Sequence, residues 1–186
     1  MEKKNQSATS LLSKEDCVLV VIDMQKKLTP VISQVDKAIK NVIKLVKLAK
    51  ILQIPIVVTE QQNLGETIEE IRSEIKEIQP IIKITFSCFG LEEFSSHIRR
   101  LNRKSLILTG IESHICVTQT ALDAPADYNI QVVSDAVASR ATHNWKIALD
   151  RMQTAGATIT STEMVMYELL KKAGTDEFRA ALPLVK

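Results

Sequence analysis

The sequence predicts an α/β protein, a three-layer α/β/α sandwich around a six-stranded parallel sheet. Short runs of β-branched residues alternate along the chain with segments of helical periodicity. The runs are apolar throughout rather than alternating, which is typical of strands buried on both faces. A helical segment follows every run, so right-handed crossovers can join neighbouring parallel strands.

Each predicted strand is a short apolar run, and Ile, Val and Thr predominate because branched side chains pack well on a pleated surface. The first run is apolar at all its positions, and the third is interrupted by a single lysine. The predicted strands are 17–22 (CVLVVI), 55–59 (PIVVT), 81–86 (IIKITF), 105–111 (SLILTGI), 130–134 (IQVVS) and 157–160 (ATIT).

The predicted helices lie between these strands. In 33–53, apolar residues recur at steps of three and four along one side, and lysines recur in the same way along another. This pattern indicates an amphipathic helix, and we interpret its lysines as a solvated face rather than an anion-binding stripe. Further helices are predicted at 66–78, 91–102, 114 to about 124, 144–155, 162–173 and 176–182.

Composition limits the possible partners. The chain has 186 residues, 45% of them hydrophobic and 25% charged, with a formal net charge of +2 and 4% aromatic residues. This length fits one domain with its own core. The small charge gives no strong attraction to nucleic acid or anionic lipid, and few aromatic residues are available for base stacking. No apolar run is long enough to span a membrane. We therefore expect neither a nucleic-acid nor a membrane partner.

The two ends of the chain and its cysteines give a domain layout and a location. Residues 1–10 are predicted to form a flexible tail and 11–186 a single domain. The start of the chain is mixed in charge and has no apolar segment typical of a secretory signal. Cys17, Cys88 and Cys116 are widely separated and form no CxxC motif. This usage favours a reducing compartment, so a cytoplasmic location is expected.

Residues that carry chemistry in parallel α/β folds gather beyond the carboxyl ends of the strands. Asp23 directly follows the first strand, and Asp135 is expected to end the fifth. Cys116 opens the helix after the fourth strand. If Ser113 caps that helix, the positive end of the helix lowers the pKa of the Cys116 thiol and favours a nucleophile. A small buried core residue is the alternative for Cys116, and a turn or cap residue for Asp23.

A cysteine nucleophile needs a base, a cation or both. Lys83 interrupts the third strand, where burial of a charge is costly without a partner, although a lysine on an edge strand can also extend to solvent. Histidine is poorly placed, because His97 lies on the third helix and His114 is only two residues from Cys116 on the same helix. Asp23 and Lys83 are therefore the better partners.

Five motifs in order resemble the isochorismatase-like cysteine hydrolases, and within them the small isochorismatase domain-containing proteins. They are VLVVIDMQ, TEQ, KITFSCF, GIESHICVTQTALD and VVSDAVASR. The resemblance implies a sheet order of 3-2-1-4-5-6 and a catalytic triad of Asp23, Lys83 and Cys116. It also implies an oxyanion hole formed by the backbone N–H groups of Glu112 and Cys116, with a cis peptide bond between Ile111 and Glu112.

The resemblance implies a hydrolase that cleaves a small amide or related C–N bond through a thioester on Cys116. Relatives that act on nicotinamide bind a metal after the second strand, but TEQQNLGETIEE contains no histidine. No metal or other cofactor is therefore expected, and nicotinamide is disfavoured. Isochorismatase, which cleaves a vinyl ether, lacks the nucleophilic cysteine, so that reaction is the weaker choice. A non-catalytic binding protein and a redox-responsive thiol protein remain alternatives.

Other residues carry weaker expectations. Gln61 is predicted to hydrogen-bond the substrate, or to be a turn residue. Phe86 is predicted to line the cavity, or to be a core aromatic. Arg140 could bind a substrate carboxylate, pair with a carboxylate such as that of Asp135, or bridge subunits. Cys88 is a possible redox partner of Cys116, Cys17 is expected in the core, and the role of His114 is open. Relatives commonly self-assemble, so a homo-oligomer of open number is expected.

Overall fold

The structure, a computed structural model, describes residues 10–185. The predicted tail therefore lies outside the described residues, except for the exposed Ser10. The described chain forms one six-stranded sheet in which every paired neighbour is parallel, in the order β3-β2-β1-β4-β5-β6. This confirms the predicted fold class and strand order. The strands are β1 (Cys17–Ile22), β2 (Ile56–Gln61), β3 (Ile81–Lys83), β4 (Ser105–Ile111), β5 (Asn129–Ala138) and β6 (Thr158–Thr160).

Helices cover both faces of the sheet, and each face has its own apolar core. Leu19 and Val21 of β1 point into one core, and Val18 and Val20 into the other, as the two-residue period of a strand requires. Among residues 10–185, no helix is long and apolar enough to span a bilayer. The helices are α1 (Val35–Ile51), α2 (Glu69–Arg72), α3 (Glu92–Leu101), α4 (Thr118–Asp123), α5 (Thr142–Thr154), α6 (Thr162–Leu170) and α7 (Asp176–Ala181).

Three of the differences between the observed elements and the predicted ones bear on the site. β3 ends at Lys83 rather than at residue 86, because the chain turns there and presents the carbonyls of Thr85 and Phe86 to the lysine ammonium. β5 continues to Ala138 through a shift in its register with β4, so Asp135 lies within the strand and not at its end. α2 has only four residues, because the backbone before it is bonded to residues outside the helix.

Gly110 brings the ends of β1 and β4 unusually close together. It pairs with Ile22, and its φ of +110° lies in the region that favours glycine. A Cβ atom at this position would lie 2.0 Å from the carbonyl oxygen of Ile22. The two strands that precede Asp23 and Cys116 can therefore lie side by side only because residue 110 has no side chain.

Candidate active site

Asp23 lies at the centre of a buried polar cluster beyond the ends of β1, β2 and β3. Its φ of 51° is left-handed, a conformation that aspartate adopts more readily than most residues. The side chain is completely buried. Its Oδ1 accepts a hydrogen bond from Thr59 Oγ1 at 2.8 Å, and its Oδ2 accepts one from Lys83 Nζ at 2.6 Å. Each carboxylate oxygen thus has a donor, as burial of a charge requires.

Lys83 is the last residue of β3, and its side chain is as fully buried as that of Asp23. Besides Asp23, its ammonium group reaches the Oε1 atom of Gln61 at 2.7 Å and the carbonyl oxygens of Thr85 and Phe86 at 3.3 Å each. The lysine therefore does not extend to solvent from the edge of the sheet. It is a buried cation with a carboxylate partner.

Cys116 lies beside this pair on a π-helical turn, Ser113–Val117, that leads into α4. The N–H of Val117 donates to the carbonyl of Glu112, five residues before it, at 3.3 Å. Such turns are rare and frequent at functional sites. Ser113 is the first residue of the turn and not its cap, so the predicted capping role is wrong. Within residues 10–185, its buried hydroxyl has no hydrogen-bond partner.

The environment keeps Cys116 protonated. Burial raises the pKa of its thiol to about 12, and the negative charge of Asp23 and a hydrogen bond with Asp23 act in the same direction, while Lys83 opposes them. The residue is 6% exposed. The expectation of a lowered pKa is therefore wrong, because loss of water around the sulfur and the charge of Asp23 outweigh the effect of Lys83.

Glu112 precedes the π-helical turn, and the peptide bond between Ile111 and Glu112 is cis, as expected. Its buried carboxylate accepts bonds from Arg140: Nη2 lies 2.6 Å from Oε1, Nε lies 3.1 Å from each oxygen, and the backbone N–H lies 2.9 Å from Oε2. Burial alone raises the pKa of Glu112, but the hydrogen bonds and charge of Arg140 outweigh it and lower that pKa. Asp135 instead accepts bonds from Thr162, so the carboxylate that pairs with Arg140 is Glu112.

Two other predicted residues border this cluster. The Nε2 group of Gln61 donates to the carbonyl of Ile84 at 2.8 Å, so both ends of this amide bind protein groups. Its predicted contact with substrate stays a prediction. Phe86 is 53% exposed and is therefore not a core aromatic. Its backbone carbonyl accepts a hydrogen bond from Lys83, so the residue borders the buried cluster.

The structure also shows the surroundings of His114 and of the other two cysteines, Cys88 and Cys17. His114 Nδ1 lies 3.0 Å from Ser139 Oγ and 4.0 Å from Glu112 Oε2. Cys88 is fully buried, with its sulfur 3.9 Å from Thr59 Oγ1, and burial raises the pKa of its thiol to about 11. Cys17 is fully buried in the core, as predicted, and burial raises its pKa to about 12.

Sequence reasoning missed two residues of the cluster, Thr59 and Gln25. Thr59 donates a hydrogen bond to Asp23, and the side chain of Gln25 hydrogen-bonds both the N–H and the carbonyl of Gln61. Both are buried polar residues: Thr59 lies within β2, and Gln25 lies two residues after Asp23 in the segment that follows β1. In the described part of the chain, no group of three or more His, Cys, Asp or Glu side chains is arranged to hold a metal ion.

A cavity of about 260 Å³ lies near the site but not on the sulfur. Its walls come from the start of α1, the end of β5 and the start of α5, and include Lys37, Asp135 and Trp145. Ser139, which contacts His114, also lines it. The cavity thus approaches the cluster from the Glu112 side, whereas Lys83 approaches it from the opposite edge of the sheet.

Comparison with known proteins agrees with this architecture. The isochorismatase domain matches residues 17–164, a range that includes Asp23, Lys83 and Cys116. The chain is 36% identical to the secreted isochorismatase effector Isc1 of Phytophthora sojae over 191 residues, covering 97% of this chain and 90% of that protein.

Solved structures show the same fold. MAR1 ribonuclease from Caenorhabditis elegans is similar with a TM-score of 0.88 and 29% identity, covering 95% of this chain and 92% of that one. The YcaC gene product of Escherichia coli, described as an octameric hydrolase of unknown specificity, is similar with a TM-score of 0.88 and 25% identity, covering 94% and 88%. The domain match and these similarities show that the chain belongs to the isochorismatase family.

Proposed function

We propose that the protein is a cysteine hydrolase that cleaves a small amide or a related C–N bond, with Cys116 as nucleophile, Asp23 as base and Lys83 as the neighbouring cation. The observation that supports this most directly is the fully buried ion pair between Asp23 and Lys83 beside the Cys116 thiol. A buried pair of this kind is a poor source of stability. Its place next to a thiol gives it a chemical use.

The first half of the reaction forms a thioester. Because the resting thiol is protonated, its proton passes to the Asp23 carboxylate as the Cys116 sulfur attacks the carbonyl carbon of the substrate. The electron pair of the C=O bond moves to oxygen. When the tetrahedral intermediate collapses, the C–N bond breaks and Asp23 returns the proton to the departing nitrogen.

The second half removes the acyl group. Asp23 takes a proton from a water molecule, whose oxygen attacks the thioester carbon. Collapse of this intermediate breaks the C–S bond and releases a carboxylic acid, and the sulfur recovers its proton from Asp23. Lys83 stays positive throughout and stabilises the negative charge that moves among Asp23, the sulfur and the substrate oxygen.

The oxyanion of each intermediate is proposed to bind the backbone N–H groups of Glu112 and Cys116. Both belong to the segment that carries the cis peptide bond and the π-helical turn. The Glu112 side chain is fastened to Arg140 by several hydrogen bonds, which favours a fixed position for its backbone. Fixed donors stabilise a developing oxyanion better than mobile ones.

Direct measurement of turnover tests this proposal. Purified protein is screened against small amides, ureides and carbamates, and RNA is included because the nematode neighbour is called a ribonuclease. We expect turnover of one of the small molecules and an acyl adduct on Cys116 in mass spectra of the quenched reaction. Cys116→Ala is expected to lose turnover, while Cys17→Ala, which removes a buried thiol outside the cluster, keeps it. Full turnover by Cys116→Ala would rule out the covalent route, whereas no turnover of any compound by the parent protein would favour a binding protein that retains the pocket.

The remaining proposals concern assembly and location. A homo-oligomer in the cytoplasm is supported by the octameric description of the Escherichia coli neighbour and by three free cysteines. The Phytophthora relative, in contrast, is described as secreted. Light scattering after gel filtration tests the assembly, and a monomer would contradict it. Fractionation of producing cells tests the location.

A further inference from the structure

We propose that Gln61 is a positioning residue that holds the Lys83 ammonium group towards Cys116 and keeps this part of the site free of a second negative charge. The proposal rests on the proposed function, because it assigns Lys83 the task of stabilising negative charge. Its evidence is independent of any substrate: the hydrogen bonds around Gln61, the burial of Lys83 and the charge balance of the cluster.

The side-chain amide of Gln61 can adopt only one useful orientation. Its Nε2 group donates to the carbonyl of Ile84 at 2.8 Å, which turns Oε1 towards the Nζ atom of Lys83 at 2.7 Å. A flipped amide would place an N–H group against an ammonium and an oxygen against a carbonyl, both of which are repulsive. The amide therefore presents an acceptor to Lys83.

The backbone of Gln61 is itself fixed. Gln25, which is completely buried, donates from Nε2 to the Gln61 carbonyl at 2.9 Å and accepts at Oε1 from the Gln61 N–H at 2.8 Å. The same Nε2 group also donates to the carbonyl of Gly65 at 2.6 Å. This double contact ties the end of β2 to the segment after β1. Gln61 thus contacts Lys83 from a backbone that its hydrogen bonds with Gln25 hold in place.

The neutral amide matters because of the charges around it. In the resting site Lys83 is positive, Asp23 is negative and the thiol is neutral. When the thiol proton passes to Asp23, the negative charge moves to the sulfur and then to the substrate oxygen, where the Lys83 ammonium stabilises it. A carboxylate at position 61 would place a second negative charge beside the ammonium, so it would disfavour charge on the sulfur. An apolar side chain would leave one ammonium proton without its acceptor and release the lysine from its position.

The pH dependence of Cys116 alkylation by iodoacetamide tests the proposal without a substrate. The thiolate is the reactive form, so the alkylation rate between about pH 7 and 9, followed by peptide mass mapping, titrates the thiolate fraction of this one group while the protein stays folded. Gln61→Glu keeps the shape and adds a charge, and Gln61→Met keeps the length and removes the acceptor. Gln62→Met changes the exposed neighbouring residue and is the matched control.

We expect the pKa of Cys116 to rise in both Gln61 variants, more in Gln61→Glu, and to stay at the parent value in Gln62→Met. A rise of about one unit makes the thiolate roughly tenfold rarer at a given pH below the pKa. A residue that only supports the fold would lower stability without moving this titration. If Gln61→Met does not fold, Gln61→Glu alone decides.

A parent-like titration in a folded Gln61 variant would overturn the proposal. Failure of the hydrolase proposal gives a different result. In that case no substrate is turned over by any variant, but the titration still shifts with residue 61.

Discussion

The Nζ atom of Lys83 lies 2.6 Å from Oδ2 of Asp23, and neither side chain is exposed to solvent. Removal of two charges from water is expensive, and the pair recovers that energy only while both members are present. The pair is also surrounded by the thiol of Cys116 and the donors of β2. Its energetics and its reactivity can be measured separately.

Loss of one member of the pair is expected to destabilise the protein more than loss of both. Lys83→Met leaves the Asp23 carboxylate buried without its cation, which typically costs about 3–5 kcal/mol of unfolding free energy. The double variant Asp23→Asn with Lys83→Met removes both charges and is expected to recover much of that loss. Guanidinium unfolding of the parent and the variants at about pH 7 measures the unfolding free energy of each protein.

Lys76→Met is the control for this cycle, because Lys76 is exposed. It is expected to change the unfolding free energy by no more than about 0.5 kcal/mol. Equal losses in Lys83→Met and in the double variant would show that the two charges do not compensate each other.

Asp23→Asn is expected to separate thiolate formation from catalysis. The charge of Asp23 and its hydrogen bond raise the pKa of Cys116, so their removal lowers this pKa towards its ordinary value of 9.0. Alkylation of Cys116 by iodoacetamide, followed by peptide mass mapping, should therefore become faster at a given pH below 9.0. Hydrolysis should be lost, because the proton has no base to accept it. Slower alkylation in Asp23→Asn would contradict the electrostatic role assigned to Asp23.

Removal of the Arg140 side chain is expected to lower the stability of the folded protein by an amount that depends on pH. The pKa of Glu112 is lowered from 4.5, so its contribution to stability is present above 4.5 and is lost as the pH falls through the lower folded value. In Arg140→Ala, burial dominates and raises this pKa. The melting temperature should therefore fall relative to the parent at about pH 7, and the difference should shrink below about pH 4.

Arg100→Ala, a change at an exposed arginine of α3, is the control for the Arg140 experiment. It is expected to leave the melting temperature close to that of the parent at both pH values. A difference between Arg140→Ala and the parent that is constant with pH would mean that Arg140 acts through packing rather than through the Glu112 charge.

Buried thiols are expected to make the protein sensitive to alkali. Unfolded thiols ionise near 9.0, whereas the folded pKa is about 12 for Cys17 and Cys116 and about 11 for Cys88. A raised folded pKa contributes stability that is present below pH 9.0 and is lost as the pH rises towards the folded value. At about pH 10 each thiol should account for a loss on the order of 1 kcal/mol. Cys17→Ala should therefore lose less stability between about pH 7 and 10 than the parent, and an equal loss would contradict this assignment.

Much of the fold follows from local patterns. Continuous apolar runs such as CVLVVI indicate strands that must be covered on both faces, and the helices supply that cover. The position of Asp23 after such a run, and of Lys83 within another, singled them out as polar residues that need a partner. The structure shows that they are partners of each other. Strand order came from the family resemblance, since apolar runs of similar length do not distinguish their neighbours.

Other features depend on contacts that no local pattern records. β3 ends early because its lysine turns back to bind nearby carbonyls, and β5 runs on because a register shift lets it follow β4. Gln25 and Thr59 support the site through bonds to residues 36 positions away in the sequence. The raised pKa of Cys116 reflects burial of the sulfur, which the position of a cysteine at the start of a helix does not reveal.

The missing side chain at Gly110 has a practical meaning for anyone who wishes to give this scaffold a new substrate. Residues 22 and 110 hold the ends of β1 and β4 against each other through main-chain packing, so library design that spares this contact keeps the strands that lead to the acid and the sulfur in place. Substitutions are better introduced at the exposed residues after β3, Ile84 and Phe86, because their side chains can be varied without displacing the buried residues of the site.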